Sequence, residues 1–174
     1  MKKKHTIHIL SIKAVNGDTF DLPDEQNAII FCESPGEKQI YGCLPENILV
    51  IDFPDTANEK ERDAFSKIHA RRIIDFVGGL SDEVTDIYVC CTVGESRSPA
   101  VAAALLKMSQ RSDKRVWKNP YYKPNTLVYS VLCREYGLKV SRLAVKIKSW
   151  SNTRAFKLAQ KSGSTAYERW ELLD

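Results

Sequence analysis

One segment, residues 87–108, constrains the fold more than any other part of the chain. Residues 87–90 are apolar and rich in β-branched or aromatic side chains, as expected of a buried central strand. Residues 99–108 begin with proline and are rich in alanine and other helix formers. Strand and helix are joined by the polar stretch 91–98, which reads Cys-Thr-Val-Gly-Glu-Ser-Arg-Ser. The pattern predicts a loop at the carboxyl end of a strand, beneath the N-terminus of a helix, within an α/β domain.

This position favours the binding of an anion. The first backbone amides of a helix have no partner within the helix, and the helix dipole favours negative charge there. Cys91 is a candidate nucleophile in this loop, because such surroundings favour its reactive thiolate form. Arg97 would donate two parallel hydrogen bonds to two phosphate oxygens. Gly94 allows a positive φ and a close approach of the backbone to an anion.

Ser98 has two predicted roles. It is placed to cap the helix with Pro99 at the first helical position. Its hydroxyl is also placed to stabilise the thiolate when sulfur is the leaving group. An alternative interpretation of the same segment makes Cys91 a small buried apolar residue without chemistry, as free cysteines often are.

The loop resembles the signature loop of the cysteine-dependent phosphatases, Cys-x-x-Gly-x-x-Arg-Ser/Thr, which Cys91, Gly94, Arg97 and Ser98 match. The surrounding spacing is most similar to that of the compact dual-specificity and tyrosine phosphatase branch, of bacterial or phage type. The resemblance covers roughly residues 6–137. It implies a central, mostly parallel twisted sheet flanked by helices, and hydrolysis through a phosphocysteine without metal or cofactor. The implied substrate-binding residues are Thr92, Val93, Gly94, Glu95, Ser96 and Arg97.

Two loop residues depart from the family pattern. Cys90 stands where the family normally has a histidine, and we interpret it first as a packing residue, with a redox partner as the alternative. Glu95 occupies a position that relatives with very highly charged substrates often fill with lysine. A carboxylate there would repel inositol polyphosphates, so it favours a phosphate monoester of low charge.

The family also uses an acid on a loop that follows another strand, which protonates the leaving oxygen. Residues 48–51 read as a buried strand, and a turn with two aspartates follows it. Asp55 matches the position of the dual-specificity acid better than Asp52. Asp52 remains a competitor because it lies nearer the strand end, and either residue could be an ordinary turn or capping aspartate.

Three functions therefore stay open at this point. The leading one is a protein tyrosine or dual-specificity phosphatase in which Cys91 attacks phosphorus and Asp55 serves as acid and then as base. A phosphate-binding module with weak turnover is the second, because Cys90 and Glu95 depart from the pattern. A sulfurtransferase is the third, although it would need neither Ser98 nor an upstream acid. The expected partner is a phosphorylated protein or a small phosphate monoester.

The remaining pattern is that of an α/β domain. Residues 6–15 and 28–32 read as further strands. A helical pattern starts at Asn58, with Glu61 as its capping partner, and continues until residues 78–79. Its predicted apolar stripe consists of Phe65, Ile68, Ile73, Phe76 and Val77. A last helix is predicted over residues 126–136, with Asn125 as its cap.

We divide the chain into a phosphatase-like catalytic domain, residues 1–137, and a basic helical extension, residues 138–174, packed on the same domain. The extension holds eight Lys and Arg residues against three Asp and Glu residues, whereas the whole chain has a net charge of +4. Apolar residues at helical spacing, with basic residues between them, predict a helix whose apolar stripe packs on the domain. A second helix is predicted from Phe156 onward. Contact of the extension with nucleic acid or a membrane is the alternative. The predicted stripe consists of Val140, Leu143, Ile147 and Trp150.

Composition agrees with one enzyme-sized unit. The chain has 174 residues, 43% of them hydrophobic, which is enough for a sizeable core. Its five cysteines form neither a disulfide framework nor a zinc pattern. Polar residues interrupt the N-terminal segment before an apolar signal-sequence core could form, and no apolar run approaches about 18 residues. The expected location is the reducing cytoplasm.

Overall fold

The computed structural model describes residues 5–15, 26–35, 43–161 and 171–173. The strands are β1 (Thr6–Ser11), β2 (Asn27–Phe31), β3 (Ile48–Val50), β4 (Asp86–Cys91) and β5 (Glu171–Leu173). The helices are α1 (Ile12–Val15), α2 (Lys67–Gly79), α3 (Arg97–Met108), α4 (Lys114–Lys118), α5 (Thr126–Glu135) and α6 (Arg142–Lys161). A short 3-10 helix, Pro45–Asn47, precedes β3. The chain thus has the predicted α/β architecture.

The strands form one sheet in the order β3-β2-β4-β1-β5. The first four strands are parallel, and β5 joins the outer side of β1 in the antiparallel direction. This confirms the mostly parallel sheet with flanking helices that the sequence predicts. Strand β4 lies at the centre and is paired on both sides, with Cys90 opposite Leu10 of β1 and Phe31 of β2. The loop after β4 therefore starts from the most securely held strand of the sheet.

Among the described residues, the two faces of the sheet carry hydrophobic clusters of different size. Alternation along β4 sends Val89 and Cys91 toward the larger core, whose helical residues include Ala103 and Leu132. Cys90 faces the opposite, smaller cluster. The alanine-rich α3 packs directly on β1 and β4, because small side chains allow a helix to approach a sheet closely. This packing fixes the direction in which the loop enters α3.

Several predicted boundaries are wrong. The first strand ends at Ser11, where α1 begins. Helix α2 begins at Lys67 rather than at Asn58, because Ser66 is its N-cap and the Nδ1 atom of His69 accepts a hydrogen bond from the Ser66 amide at 3.0 Å. Ile68, predicted to be buried, is 72% exposed. His69 contacts two phenylalanine rings and serves packing and capping, and its burial lowers its pKa.

In the described part of the C-terminal extension, one continuous helix, α6, includes residues 156–161, where a second helix was predicted, and strand β5 was not predicted. Helix α6 packs against α4 and α5 through a face on which Val145 is buried. On the same face, Lys148 forms a 2.6 Å ion pair with Asp113, and the amide of Asn152 donates to the carbonyl of Tyr122 at 2.6 Å. Polar contacts thus hold much of this face. No helix in the described ranges is long and apolar enough to span a membrane.

The predicted apolar stripe of the extension is mostly on the wrong side of the helix. Leu143, Ile147 and Trp150 are 67%, 57% and 81% exposed, while Val140, which precedes the helix, packs against the core. The physical reason is that Lys148 and Asn152 find specific partners on the domain. These polar contacts, and not the apolar periodicity of the helix, therefore determine which face of α6 packs on the domain.

Candidate active site

The loop between β4 and α3 folds around the sulfur atom of Cys91. The amide of Gly94 donates to Cys91 Sγ at 3.3 Å. Gly94 has φ +79°, as predicted, and a Cβ atom at this position would lie 3.2 Å from the carbonyl carbon and oxygen of Leu10. Only glycine adopts this conformation without strain or displacement of β1. Because residue 94 is a glycine, the loop closes tightly enough for the Gly94 amide to point at the sulfur of Cys91.

Ser98 supplies a second polar contact to the sulfur. Its Oγ atom lies 3.1 Å from Cys91 Sγ. Ser98 is not the helix cap that the sequence predicts, because α3 begins one residue earlier, at Arg97, and Ser96 occupies the N-cap position. The fully buried hydroxyl of Ser98 therefore lies against the sulfur, and it also lies 3.5 Å from the carbonyl oxygen of Leu10.

Arg97 is held rigidly below the loop. Its Nη1 atom donates to the carbonyl oxygens of Cys32 at 3.2 Å and Phe53 at 3.1 Å. Its Nη2 atom donates to Glu33 Oε2 at 2.7 Å and to Thr92 Oγ1 at 2.6 Å. Two strand ends and the loop itself thus position one guanidinium group, which is 8% exposed.

One donor of this guanidinium remains open, where the sequence predicts two parallel donors for phosphate oxygens, because Glu33 and Thr92 occupy Nη2. The Nε atom of Arg97 is buried and has no hydrogen-bond partner in the described part of the chain. Burial opposes the positive charge of Arg97, but its hydrogen bond with Glu33 and its proximity to Cys91 offset the burial and raise its pKa. The group is therefore a fixed cation with a buried donor left for an anion.

Glu33 is a residue of the site that the sequence analysis missed. It lies two residues after the end of β2, at the same edge of the sheet as the loop. An acidic residue immediately after a buried apolar strand is the signal that could have identified it, because carboxyl ends of parallel strands meet at one edge. Its role here is to orient and charge-balance Arg97.

The structure places Asp55 against the loop. Asp55 Oδ1 accepts hydrogen bonds from Ser96 Oγ and from Asn125 Nδ2, both at 2.8 Å. Asp52 is exposed, and its side chain makes no hydrogen bond or ion pair within the described ranges. Of the two candidate acids, Asp55 is thus the one that contacts the loop.

Asn125 connects three parts of the site. Its Oδ1 atom accepts from the amides of Leu127 and Val128, which makes it the N-cap of α5, as predicted. Its Nδ2 atom donates to Asp55 and to the carbonyl of Thr56. Its own amide donates to the carbonyl of Ser96 in the loop, at 3.2 Å. The start of α5 therefore fixes the distance between the loop and the aspartate.

The other cysteines near the loop are buried. Cys90 packs among Leu10, Ile29 and Phe31 on the face of the sheet opposite Cys91. Burial raises the pKa of Cys90 and of Cys32 well above the ordinary thiol value, and the nearby Cys91 raises both further. This placement supports the interpretation of Cys90 as a packing residue.

Glu95 points away from the sulfur, toward the C-terminal helix. Both of its carboxylate oxygens accept from Gln160 Nε2, at 3.1 and 3.0 Å. A groove of about 890 Å³ runs along α6, and Glu95 lines it together with Trp150 and Leu158. Thr92 and Val93 are exposed, and Val93 is 41% accessible.

A cradle for a small tetrahedral anion consists of the Cys91 sulfur, the Gly94 amide, the Ser98 hydroxyl and the Arg97 guanidinium. The carboxyl group of Asp55 lies beside the same loop. Such an arrangement suits transfer of a group from the anion to sulfur. Among the described residues, no three His, Cys, Asp or Glu side chains are grouped as a metal ion would need. No known protein-family model matches this chain, and no curated protein matches it.

Proposed function

We propose that this protein is a cysteine-dependent phosphatase of the tyrosine or dual-specificity type, which hydrolyses phosphate monoesters through a phosphocysteine. The observation that carries the proposal is the guanidinium of Arg97. Four hydrogen bonds fix its two terminal nitrogens, while its buried Nε, beside the cysteine loop, has no partner among the residues that the structure describes. A phosphate oxygen would satisfy this donor.

In the first step, the thiolate of Cys91 attacks phosphorus in line with the departing oxygen. A sulfur–phosphorus bond forms, and the bond between phosphorus and the ester oxygen breaks. The open Nε donor of Arg97 and the loop amides hold the equatorial oxygens as charge shifts among them. Asp55 gives its proton to the departing alcohol or phenol.

In the second step, water attacks the phosphorus atom of the phosphocysteine. Asp55, now ionised, accepts the proton of this water, and the sulfur–phosphorus bond breaks. Ser98 Oγ, 3.1 Å from the sulfur, stabilises the thiolate as it leaves. Gly94 contributes its amide to the same sulfur. Inorganic phosphate leaves, and Cys91 returns to the thiolate.

The proposed substrate is a phosphorylated protein or a small monoester of low charge. The carboxylate of Glu95 lies beside the loop, against Gln160 of α6, and its charge disfavours substrates whose further phosphates would extend toward α6. All five cysteines are free. Free thiols and a thiol nucleophile suit a reducing compartment, so we propose the cytoplasm.

The test is hydrolysis of an aryl phosphate by the reduced protein without added metal, with and without vanadate. We expect vanadate-sensitive turnover that Cys91→Ser abolishes. Cys43→Ser is the matched control, because Cys43 is a half-buried free thiol remote from the loop, hydrogen-bonded to the carbonyl of Asn27. Rapid quenching of the wild type should trap one phosphoryl group on Cys91.

Two results would overturn the proposal. Binding of vanadate or phosphate without turnover would make the protein a phosphate-recognition module. Transfer of sulfur from thiosulfate, without phosphatase activity, would make it a sulfurtransferase. Equal loss of turnover in Cys91→Ser and Cys43→Ser would indicate a general effect on folding.

A further inference from the structure

The outward face of α6 carries an exposed apolar stripe. Leu143, Ile147, Trp150 and Leu158 are between 57% and 81% exposed. Their spacing of four, three and eight residues places them along one side of the helix, opposite the face of Val145 and Asn152 that packs on the domain. At 1.5 Å per residue the stripe is about 22 Å long. Contact with water along this length is unfavourable and indicates a partner.

All charged residues of the same helix are basic. It contains six Lys and Arg residues and neither Asp nor Glu. Lys148 is paired with Asp113, and the other five are exposed and have no acidic partner among the described residues. These five are Arg142, Lys146, Arg154, Lys157 and Lys161. The surface of α6 is therefore apolar and positively charged at once.

This combination fits one kind of partner better than the others. A nucleic acid would use the positive charges but would gain little from Leu143 or Leu158. A second copy of the helix would bury the apolar stripe but would bring two sets of unpaired cations together. An anionic lipid surface satisfies both features, because apolar side chains enter the acyl boundary while Lys and Arg reach the headgroups. Trp150, the most exposed of the four, has the amphipathic ring that favours this boundary.

We propose that α6 docks the protein on membrane surfaces that carry anionic lipids, with the stripe of Leu143, Ile147, Trp150 and Leu158 inserted at the interface. The helix lies flat on the surface and stays packed on the domain through Val145, Lys148 and Asn152. This mode of binding needs no segment that crosses the bilayer.

Docking through α6 would also bring the cysteine loop close to the membrane surface. Gln160, near the end of α6, holds Glu95 of the loop through both carboxylate oxygens. The groove beside the loop is lined by Trp150 and Leu158 of the stripe. The docking proposal is independent of phosphatase activity, since it rests on α6 alone.

The test is co-sedimentation of the full-length protein with vesicles. We expect binding to phosphatidylcholine vesicles containing about 30% phosphatidylserine, weak binding to pure phosphatidylcholine, and release by salt. Trp150→Ala should weaken the partition coefficient about tenfold or more. Lys146→Glu should weaken it at least about fivefold.

Helix α2 provides a matched control. Its adjacent residues Lys67 and Ile68 are both exposed, like Lys146 and Ile147 of α6. Lys67→Glu and Ile68→Ala should leave vesicle binding unchanged, whereas Lys146→Glu and Ile147→Ala should reduce it. All four changes are at exposed positions, so circular dichroism should show a folded protein throughout.

Several outcomes would overturn the proposal. These are no vesicle binding, equal binding to neutral and anionic vesicles, or equal losses in the α2 and α6 variants. Binding of an oligonucleotide without vesicle binding would identify a nucleic-acid surface instead. A concentration-dependent dimer that Trp150→Ala dissociates, without vesicle binding, would identify a second copy as the occupant.

Discussion

Replacement of Asn125 separates the stability of α5 from the placement of the proposed acid. In Asn125→Ala, the helix loses its cap, which costs about 1 kcal/mol. The donors to Asp55 and to the carbonyl of Thr56 are lost as well, at about 1 kcal/mol for each bond. Because Asp55 is exposed, loss of the hydrogen bond to Asp55 costs less than loss of the bond to Thr56. We expect the free energy of unfolding to fall by about 2–3 kcal/mol.

Asn125→Asp keeps the cap, since aspartate caps helices as well as asparagine does. It replaces the Nδ2 donor, which lies 2.8 Å from Asp55 Oδ1 in the wild type, by a second carboxylate. Like Asn125→Ala, it loses both Nδ2 donor bonds, and repulsion between the two carboxylates costs about 1 kcal/mol more and displaces Asp55 from the loop. The retained cap and the added repulsion are similar in size, so urea unfolding should show the two variants about equally destabilised. Hydrolysis of alkyl phosphates should fall about tenfold or more, with a smaller effect on aryl phosphates, which leave without a proton.

The exchanged double variant, Asp55→Asn with Asn125→Asp, restores an amide–carboxylate pair in reverse. It should recover about 1 kcal/mol of stability relative to Asn125→Asp while staying inactive toward alkyl phosphates. Wild-type turnover of alkyl phosphates by this variant would refute the assignment of Asp55 as the acid. A stability of Asn125→Asp that lies more than about 1 kcal/mol below that of Asn125→Ala would contradict the retained cap.

Three further changes probe other parts of the site and fold. Arg97→Lys keeps a charge but loses the planar donor set, so kcat should fall about 100-fold or more, measured with an aryl phosphate. Gly94→Ala forces a side chain to φ +79° against β1, and urea unfolding should show a loss of about 1–3 kcal/mol together with reduced turnover. Burial would raise the pKa of Asp113, but hydrogen bonds from Lys148 and Tyr129 outweigh burial and lower it. The stabilisation that Asp113 provides relative to Asp113→Asn is therefore present above the unfolded pKa of about 3.9 and is lost as pH falls through the lower folded value.

Each of these expectations has a result that contradicts it. A kcat near the wild-type value in Arg97→Lys would mean that a positive charge at this position is sufficient for turnover. Unchanged stability in Gly94→Ala would mean that β1 moves away at little cost. A stability difference between wild type and Asp113→Asn that does not shrink below about pH 4 would contradict the lowered pKa of Asp113.

The cysteine loop could be predicted from the sequence because its chemistry is contiguous. Cys91, Gly94 and Arg97 lie within seven positions, and their flanking strand and helix fix the geometry locally. Glu33 could not be assigned in this way, because its partner Arg97 is 64 positions away. Only the order of the strands brings their ends together.

The orientation of α6 failed for a different physical reason. Helical periodicity shows which residues share a face, but it does not say which face meets the domain. Lys148 and Asn152 decide this question through Asp113 and the carbonyl of Tyr122, partners that the pattern of apolar residues does not reveal. The start of α2 was likewise decided by His69, a capping partner that the usual glutamate or glutamine rule does not include.

Strand β5 has a consequence for any attempt to shorten the protein. By pairing with Ile7, His8 and Ile9, it occupies the outer side of β1. Deletion of residues 138–174 would remove this strand together with α6 and leave a row of unpaired amides and carbonyls along β1. Exposed edges of this kind recruit strands from other molecules. A fragment ending at residue 137 should therefore self-associate, even though the cysteine loop and most of the core lie within it.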